Sequence, residues 1–197
     1  MTNIFMPTLE TERLRIRRFT IDDLPCIHQV YVDAGWDEDT AEALEKRRAW
    51  LQWQVMNYAA LEGLYQPPYG DRAVERKDSG EFVGSVGLVQ AFGPFGQLPH
   101  YQALGISHRL NMPEFGLFWA FLKAQQGKGY ATEAAQAVVD FALKEMRLKR
   151  MIATTEHDNT ASQAVMRRLG MKIERNPLPE PVWFQVVGIL ENEGEES

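Results

Sequence analysis

Two glycines flank a lysine in "QGKGYAT" (Gln126 to Thr132), and a helical pattern starts directly behind them. A turn that opens a helix leaves several N–H groups without partners, and the positive end of the helix dipole lies beside them, so an anion suits that place. Gly127 and Gly129 lack the Cβ atoms that would hold a phosphate off the backbone, and Lys128 adds a charge at the rim. Strand, turn and helix together read as a phosphate cradle; the plainer alternative is that the two glycines only make a tight turn. A dinucleotide fingerprint requires a third small residue where Thr132 stands, and no Gly-x-x-x-x-Gly-Lys-Ser/Thr loop occurs.

The other chemistry-bearing residues are scattered. Cys26 falls on a predicted N-terminal helix and reads as a small core residue rather than a nucleophile. His28 and His157 read as structural or surface groups, while His100 and His108 sit in a glycine- and proline-rich insert that could fold over a pocket. No pair of histidines has the spacing of metal ligands on one helix face, and no metal is expected. Trp50 on the long second helix reads as core; Trp53 is open between core and pocket wall.

Composition bounds the function class. Acids outnumber bases 27 to 21, a formal charge of -6, which argues against a nucleic-acid partner and suits a cationic substrate. One cysteine excludes an internal disulfide and fits a reducing cytoplasm. The opening "MTNIFMPTLETERLRIRRF" has no signal-peptide layout, and no apolar run is long enough to span a bilayer, so no membrane association is expected.

The elements that must carry the turn follow from periodicity. "RLRIRRF" alternates as a half-exposed strand, and Thr20 opens a short helix. A long amphipathic helix carries Leu44, Leu51, Val55 and Tyr58 or Ala59 on one stripe, closed by Gly63. "DRAVERKDSGEFVGSVGLVQAFG" reads as a hairpin turning at Asp78-Ser79-Gly80, and the next twenty-odd residues as an irregular insert. "FGLFWAFL" has the continuous apolar character of a strand buried on both faces. Behind the glycine turn, Ala131, Ala134, Val138, Phe141 and Ala142 share one side of a helix. "KRMIATT", "MKIERN" and "WFQVVGIL" read as strands, with "NTASQAVMRRLG" a short helix ended by Gly170. The class is α/β or α+β around one mixed sheet, in a single domain over 1–197 whose acidic end, 190–197, is frayed.

"QGKGYA" fits the Gln/Arg-x-x-Gly-x-Gly/Ala signature of the GNAT superfamily of N-acetyltransferases. "LETERLRIRRFTIDDLP", "YATEAAQAVVDFAL" and "DNTASQAVMRRLGM" resemble its ribosomal-protein-alanine acetyltransferase-like branch, in the family's order, while 36–113 matches weakly. The resemblance implies a GNAT-like fold, a mixed, mostly antiparallel sheet splayed near "FGLFWAFL" and flanked by helices. It also implies acetyl-CoA as co-substrate and a primary amine as acceptor, either a protein N-terminus or a small molecule, attacked directly without a covalent enzyme intermediate. By the same matching, Gln126, Gly127, Lys128, Gly129, Tyr130, Ala131 and Thr132 hold the pyrophosphate, Phe121 pairs with the pantetheine arm, and Asn159 and Ser162 lie along it.

For the chemistry, the resemblance offers Glu114, at the start of the splayed strand, as acceptor of the amine proton through water, against the alternative of an exposed strand-end acid. It offers Ser162 near the sulfur, against plain helix N-terminal bonding. Three segments depart from the pattern. Met166 stands where many members have a proton-donating tyrosine, Met171 replaces a phenylalanine, and Lys123-Ala124-Gln125 replaces a Pro-Glu entry to the loop. A thiol pKa near ~8.5 lets the thiolate leave unprotonated. Met166 also keeps a second class alive, a non-catalytic acyl-CoA sensor on the same fold. Relatives often pair through sheets or C-terminal strands, so the resemblance extends to a homodimer; the chain itself leaves the oligomeric state open.

Overall fold

The structure is a computed structural model describing residues 5–194. Its strands are β1 (Leu9–Glu10), β2 (Leu14–Arg17), β3 (Gly70–Arg76), β4 (Phe82–Gly93), β5 (Met112–Phe121), β6 (Arg150–Thr155), β7 (Lys172–Arg175) and β8 (Val186–Glu191). The helices are α1 (Leu24–Asp33), α2 (Ala41–Gly63), α3 (Pro99–Ala103), α4 (Tyr130–Asp140) and α5 (Thr160–Arg168). The strands follow the order β1-β2-β3-β4-β5-β6-β8-β7, with β5 and β6 parallel and every other recorded pair antiparallel. This is the mixed sheet with helices that the GNAT-like expectation requires. Two compact units divide the chain: residues up to Leu88 with Phe118–Met146, and Val89–Leu117 with Arg147 onward.

In the first unit, β2 pairs with β3, and β3 with β4 through the turn at Gly80, whose φ of 71° accounts for the glycine. Thr20 precedes α1, its N–H donating to Asp23 Oδ2 at 2.8 Å; Thr40 caps α2, its hydroxyl accepting from the Ala43 N–H at 3.2 Å. Leu51 and Tyr58 of α2 pack with Phe19, Ile27, Val30 and Phe82, and Leu44, Trp50 and Val55 lie against that core half-buried. Gly63 does not close α2 as expected. It is the last helical residue, and the left-handed position falls on Tyr65, with φ of 55°. Behind α4 the chain widens into a π-helical turn over Phe141–Glu145, where a continuous helix was expected.

In the second unit, β6 and β7 both pair antiparallel with β8. The insert expected to be irregular is largely structured. Phe95, Leu98 and Tyr101, three residues apart, are fully buried with Phe184, Ile152 and Ile189, so its aromatics supply a core. Leu190 and Glu191 pair with Met151 and Arg150 as the end of β8, so the expected fray excludes them, and 195–197 lie outside the described residues.

Candidate functional site

The glycine turn belongs to the first unit. β5 ends at Phe121, the Leu122 N–H donates to Val83 O at 3.1 Å, and a 3-10 turn over Lys123–Gln125 leads into the loop. Gly127 and Gly129 take φ of 75° and 83°, in the left-handed region where only glycine is unstrained. A Cβ on Gly127 would meet nothing within 4 Å; on Gly129 it would come 3.3 Å from Arg13 Nη2. Among the described residues, the main-chain N–H groups of Gly127, Lys128, Gly129, Tyr130, Ala131 and Thr132 have no protein acceptor. Six consecutive donors therefore wait at the start of α4.

The side chains of the loop mostly serve the loop itself. Gln126 donates from Nε2 to Phe121 O at 3.1 Å and from its N–H to Lys123 O at 3.4 Å, so it braces the turn and occupies the carbonyl of Phe121. Lys128 Nζ donates to Gln125 Oε1 at 2.7 Å, and Gln125 Nε2 donates to Glu81 Oε1 at 2.6 Å. Tyr130 is buried and offers its N–H alone. The expectations missed Arg13. Its Nη1 donates to Lys128 O at 3.0 Å, its Nε donates to Glu133 Oε2 at 2.7 Å, and its guanidinium lies 4.8 Å above the Tyr130 ring. Thr11 holds the other oxygen of Glu133. Burial pushes the Glu133 carboxyl up, but the hydrogen bonds from Thr11 and Arg13 outweigh it and hold it below its ordinary value. The only signal for Arg13 was its place at the head of the arginine-rich strand.

In the second unit, Asn159 and Ser162 meet at the start of α5, where Asn159 Oδ1 accepts the Ser162 N–H at 3.0 Å. Among the described residues the Asn159 amide nitrogen and the Ser162 hydroxyl have no partner. Met166 is fully buried; a Cβ on Gly188 would sit 3.1 Å from its sulfur and 2.8 Å from that of Met171. Both methionines are core residues packed on β8.

Glu114 is neither at a strand start nor exposed. β5 begins two residues earlier, and Glu114 is 9% exposed. Arg150 donates to its Oε1 from Nε at 2.9 Å and from Nη2 at 2.5 Å. The parallel register Gly116↔Ile152 explains the meeting, since Glu114 and Arg150 each lie two residues earlier on adjacent strands. Arg150 Nη1 reaches Glu191 at 3.0 Å, His100 Nε2 meets the same carboxylate at 2.8 Å, and the Arg150 guanidinium lies 4.5 Å from the Tyr101 ring. Burial, and then the neighbouring Glu114 charge, push the Tyr101 hydroxyl pKa up. His100 thus belongs to an ion-pair cluster rather than to an open loop.

Of the remaining candidates, Cys26 is half-buried against the first core, and burial pushes its thiol up. His28 is buried, and His108 and His157 are exposed. Trp50 joins the core as expected, while Trp53 is 53% exposed. A group that the sequence reading passed over is Asp71 on β3, 4% exposed with Oδ1 unpartnered, whose pKa burial pushes up to about 7 against the pull of Arg47. Among the described residues no cluster of His, Cys, Asp and Glu could hold a metal ion, and no helix is long and apolar enough to cross a membrane.

Known proteins resemble this chain along most of its length. An uncharacterised N-acetyltransferase, YnaD of Bacillus subtilis (strain 168), is 48% identical over 170 residues, 84% of this chain and 83% of that protein. The crystal structure of a GNAT-family acetyltransferase from Bacillus anthracis superposes with a TM-score of 0.66 at 23% identity, covering 95% of this chain and 99% of that one. A ribosomal L7/L12 alpha-N-protein acetyltransferase in complex with coenzyme A shares the fold at 17% identity, with a TM-score of 0.58 over 91% and 93% of the two chains. The model of the acetyltransferase (GNAT) domain matches residues 13–172. With the unpartnered donors of its glycine turn and this match over most of its length, the chain belongs to the GNAT family of N-acetyltransferases, whose members draw the acyl group from acetyl-CoA.

Proposed function

We propose that Gly127 to Thr132 bind the pyrophosphate of acetyl-CoA through their main-chain N–H groups, and that the protein transfers the acetyl group to a primary amine by direct attack. The observation that carries this reading is the run of six N–H donors without acceptors on a loop that glycines keep open. Gln126 and Arg13 act as braces that hold the loop in shape. The free amide of Asn159 and hydroxyl of Ser162 supply contacts toward the pantetheine end, in the manner of the ribosomal-protein acetyltransferase-like branch.

In the reaction the amine nitrogen attacks the thioester carbon, the C–S bond breaks, and the amine gives up one proton. Glu114 Oε2, the oxygen that Arg150 does not engage, accepts that proton through water, and the Ser162 hydroxyl donates to the departing thiolate. The acceptor is a primary amine, either a protein N-terminus, the class named for the coenzyme A-bound neighbour, or a small molecule. A cytoplasmic location fits an acyl-CoA enzyme with one free cysteine.

The test is free-thiol release from acetyl-CoA with peptides and small amines as acceptors, beside calorimetry of coenzyme A binding. Turnover that falls about a hundredfold in Glu114→Gln, with binding kept, supports the assignment of the base. Tight binding with no turnover on any acceptor supports the second reading, a sensor. The commitment of Glu114 to Arg150 is the observation that favours it. No heat at millimolar ligand overturns both.

A further inference from the structure

Helix α2 is apolar on two faces. One carries Leu51 and Tyr58 into the core. On the opposite side Ala49, Trp53, Met56, Ala60 and Leu64 follow one another every three or four residues, and all five are exposed, Met56 by 66% and Leu64 by 67%. Leu64 caps the helix and prolongs its turn, its N–H donating to Ala60 O at 3.1 Å. The other charges of α2 all precede Ala49, and from there to Leu64 the one charged residue is Glu62, which is turned to Arg18. Contiguous apolar surface of this kind marks a docking face. The stripe is about 22 Å long at ~1.5 Å per residue. With exposed Tyr65 at its end it offers on the order of 600 Å² per copy, against the ~800 Å² per partner of a standard interface.

The order of large and small residues selects the occupant. Trp53 and Ala60 lie equally far on either side of the midpoint between Met56 and Asn57, and so do Ala49 and Leu64. We propose that two copies of this chain dimerise through α2, the two helices lying antiparallel about a two-fold axis at that midpoint. Trp53 then meets the partner's Ala60, Leu64 meets the partner's Ala49, and Met56 meets its own counterpart. Each large aromatic or branched side chain faces a small one, which lets the helices approach to about 8–10 Å. A face that docks on itself must avoid like charges, and this one carries none. Glu42 and Lys46, bonded to each other at 2.8 Å, fall past the end of the partner's helix, where its negative pole suits Lys46. A membrane surface is the poorer match, since no Lys or Arg lies between Ala49 and Leu64 to meet anionic headgroups.

The test uses the full chain and needs no acyl-CoA. In sedimentation equilibrium between about 1 and 200 µM, the wild type rises from the mass of one chain toward that of two. Met56→Arg and Met56→Glu each place two like charges together at the axis, and each alone stays a single chain. Mixed in equal amounts at low salt, the two variants associate again, because opposite charges now meet across the axis. That recovery also shows that both variants are folded. A wild type that stays a single chain over this range overturns the proposal. So does a Met56→Arg that dimerises like the wild type, as pairing through strands would have it, or a mixture that does not associate.

Discussion

Asp71 on β3 and Glu114 on β5 are both buried carboxylates, and the chain treats them oppositely. Glu114 takes two hydrogen bonds from Arg150, which in turn is held by Glu191, itself held by His100. Asp71 leaves Oδ1 bare, and burial lifts its pKa to about 7. A buried charge is tolerated through a partner or by taking up a proton, and these two residues show each route. The glycine turn follows a third rule. Gly127, Lys128 and Gly129 lie on an exposed loop, so water serves their N–H groups without an internal partner.

The largest expected effect breaks the paired carboxylate. Arg150→Met leaves Glu114 without its counter-charge at 7% side-chain exposure, and we expect a loss of about 3–5 kcal/mol in denaturant unfolding. Adding Glu114→Leu to that variant recovers most of the loss, because the uncompensated charge is gone. A single variant within 1 kcal/mol of wild type would show that the pair carries no such weight.

The unpaired carboxylate responds to pH in the opposite sense to a salt-bridged one. Between its ordinary value of 3.8 and about 7, Asp71 keeps a proton in the native state that the unfolded chain has lost. Stability therefore falls as pH rises through that window and levels off above it. Asp71→Asn removes the slope. Its stability relative to wild type grows by on the order of 3 kcal/mol between pH 4 and pH 8, measured by urea unfolding at each pH. A constant difference would mean that Asp71 is ionised throughout.

The contrast between the two acids also marks how far the sequence could be read. The glycine turn was legible because its chemistry is local: two glycines, a lysine and a helix start within seven residues, all now at the expected place. The partner of Glu114 was not, because Arg150 lies 36 residues on and reaches it only through the parallel register of β5 and β6. The apolar run places Glu114 at the strand start, yet β5 extends back through Pro113 to Met112. In the insert, glycines and prolines obscured the three-residue spacing of Phe95, Leu98 and Tyr101, which the structure shows to be a core face. Unpartnered groups such as Asp71 Oδ1 and Arg72 Nε are invisible in a sequence, since having no partner is a property of the packed chain.

The glycine turn offers a smaller test than the two acids. Gly129→Val places a β-branched residue at φ of 83° and brings its Cβ within 3.3 Å of Arg13. The strain is worth about 1–3 kcal/mol and falls on the loop rather than on the core. We expect coenzyme A affinity to drop about tenfold or more, with the unfolding free energy falling by no more than that strain. Arg13→Ala acts in the same direction more weakly, by freeing Lys128 O and Glu133 Oε2. Unchanged affinity in Gly129→Val would remove the loop's main-chain donors from the binding site.

The smallest effect decides on which side of the paired and waiting divide Asn159 falls. Its Oδ1 caps α5 by accepting the Ser162 N–H, while its amide nitrogen has no partner among the described residues. Asn159→Ala removes both functions and costs about 1 kcal/mol of stability, as lost caps do. Asn159→Asp keeps the acceptor, adds a charge that the helix N-terminus favours, and loses only the donor, so its stability stays close to wild type. If the free donor serves the pantetheine arm, Asn159→Asp weakens coenzyme A binding several-fold at unchanged stability. Equal affinity in the two proteins would assign Asn159 to the helix cap alone, with all its work done inside the fold.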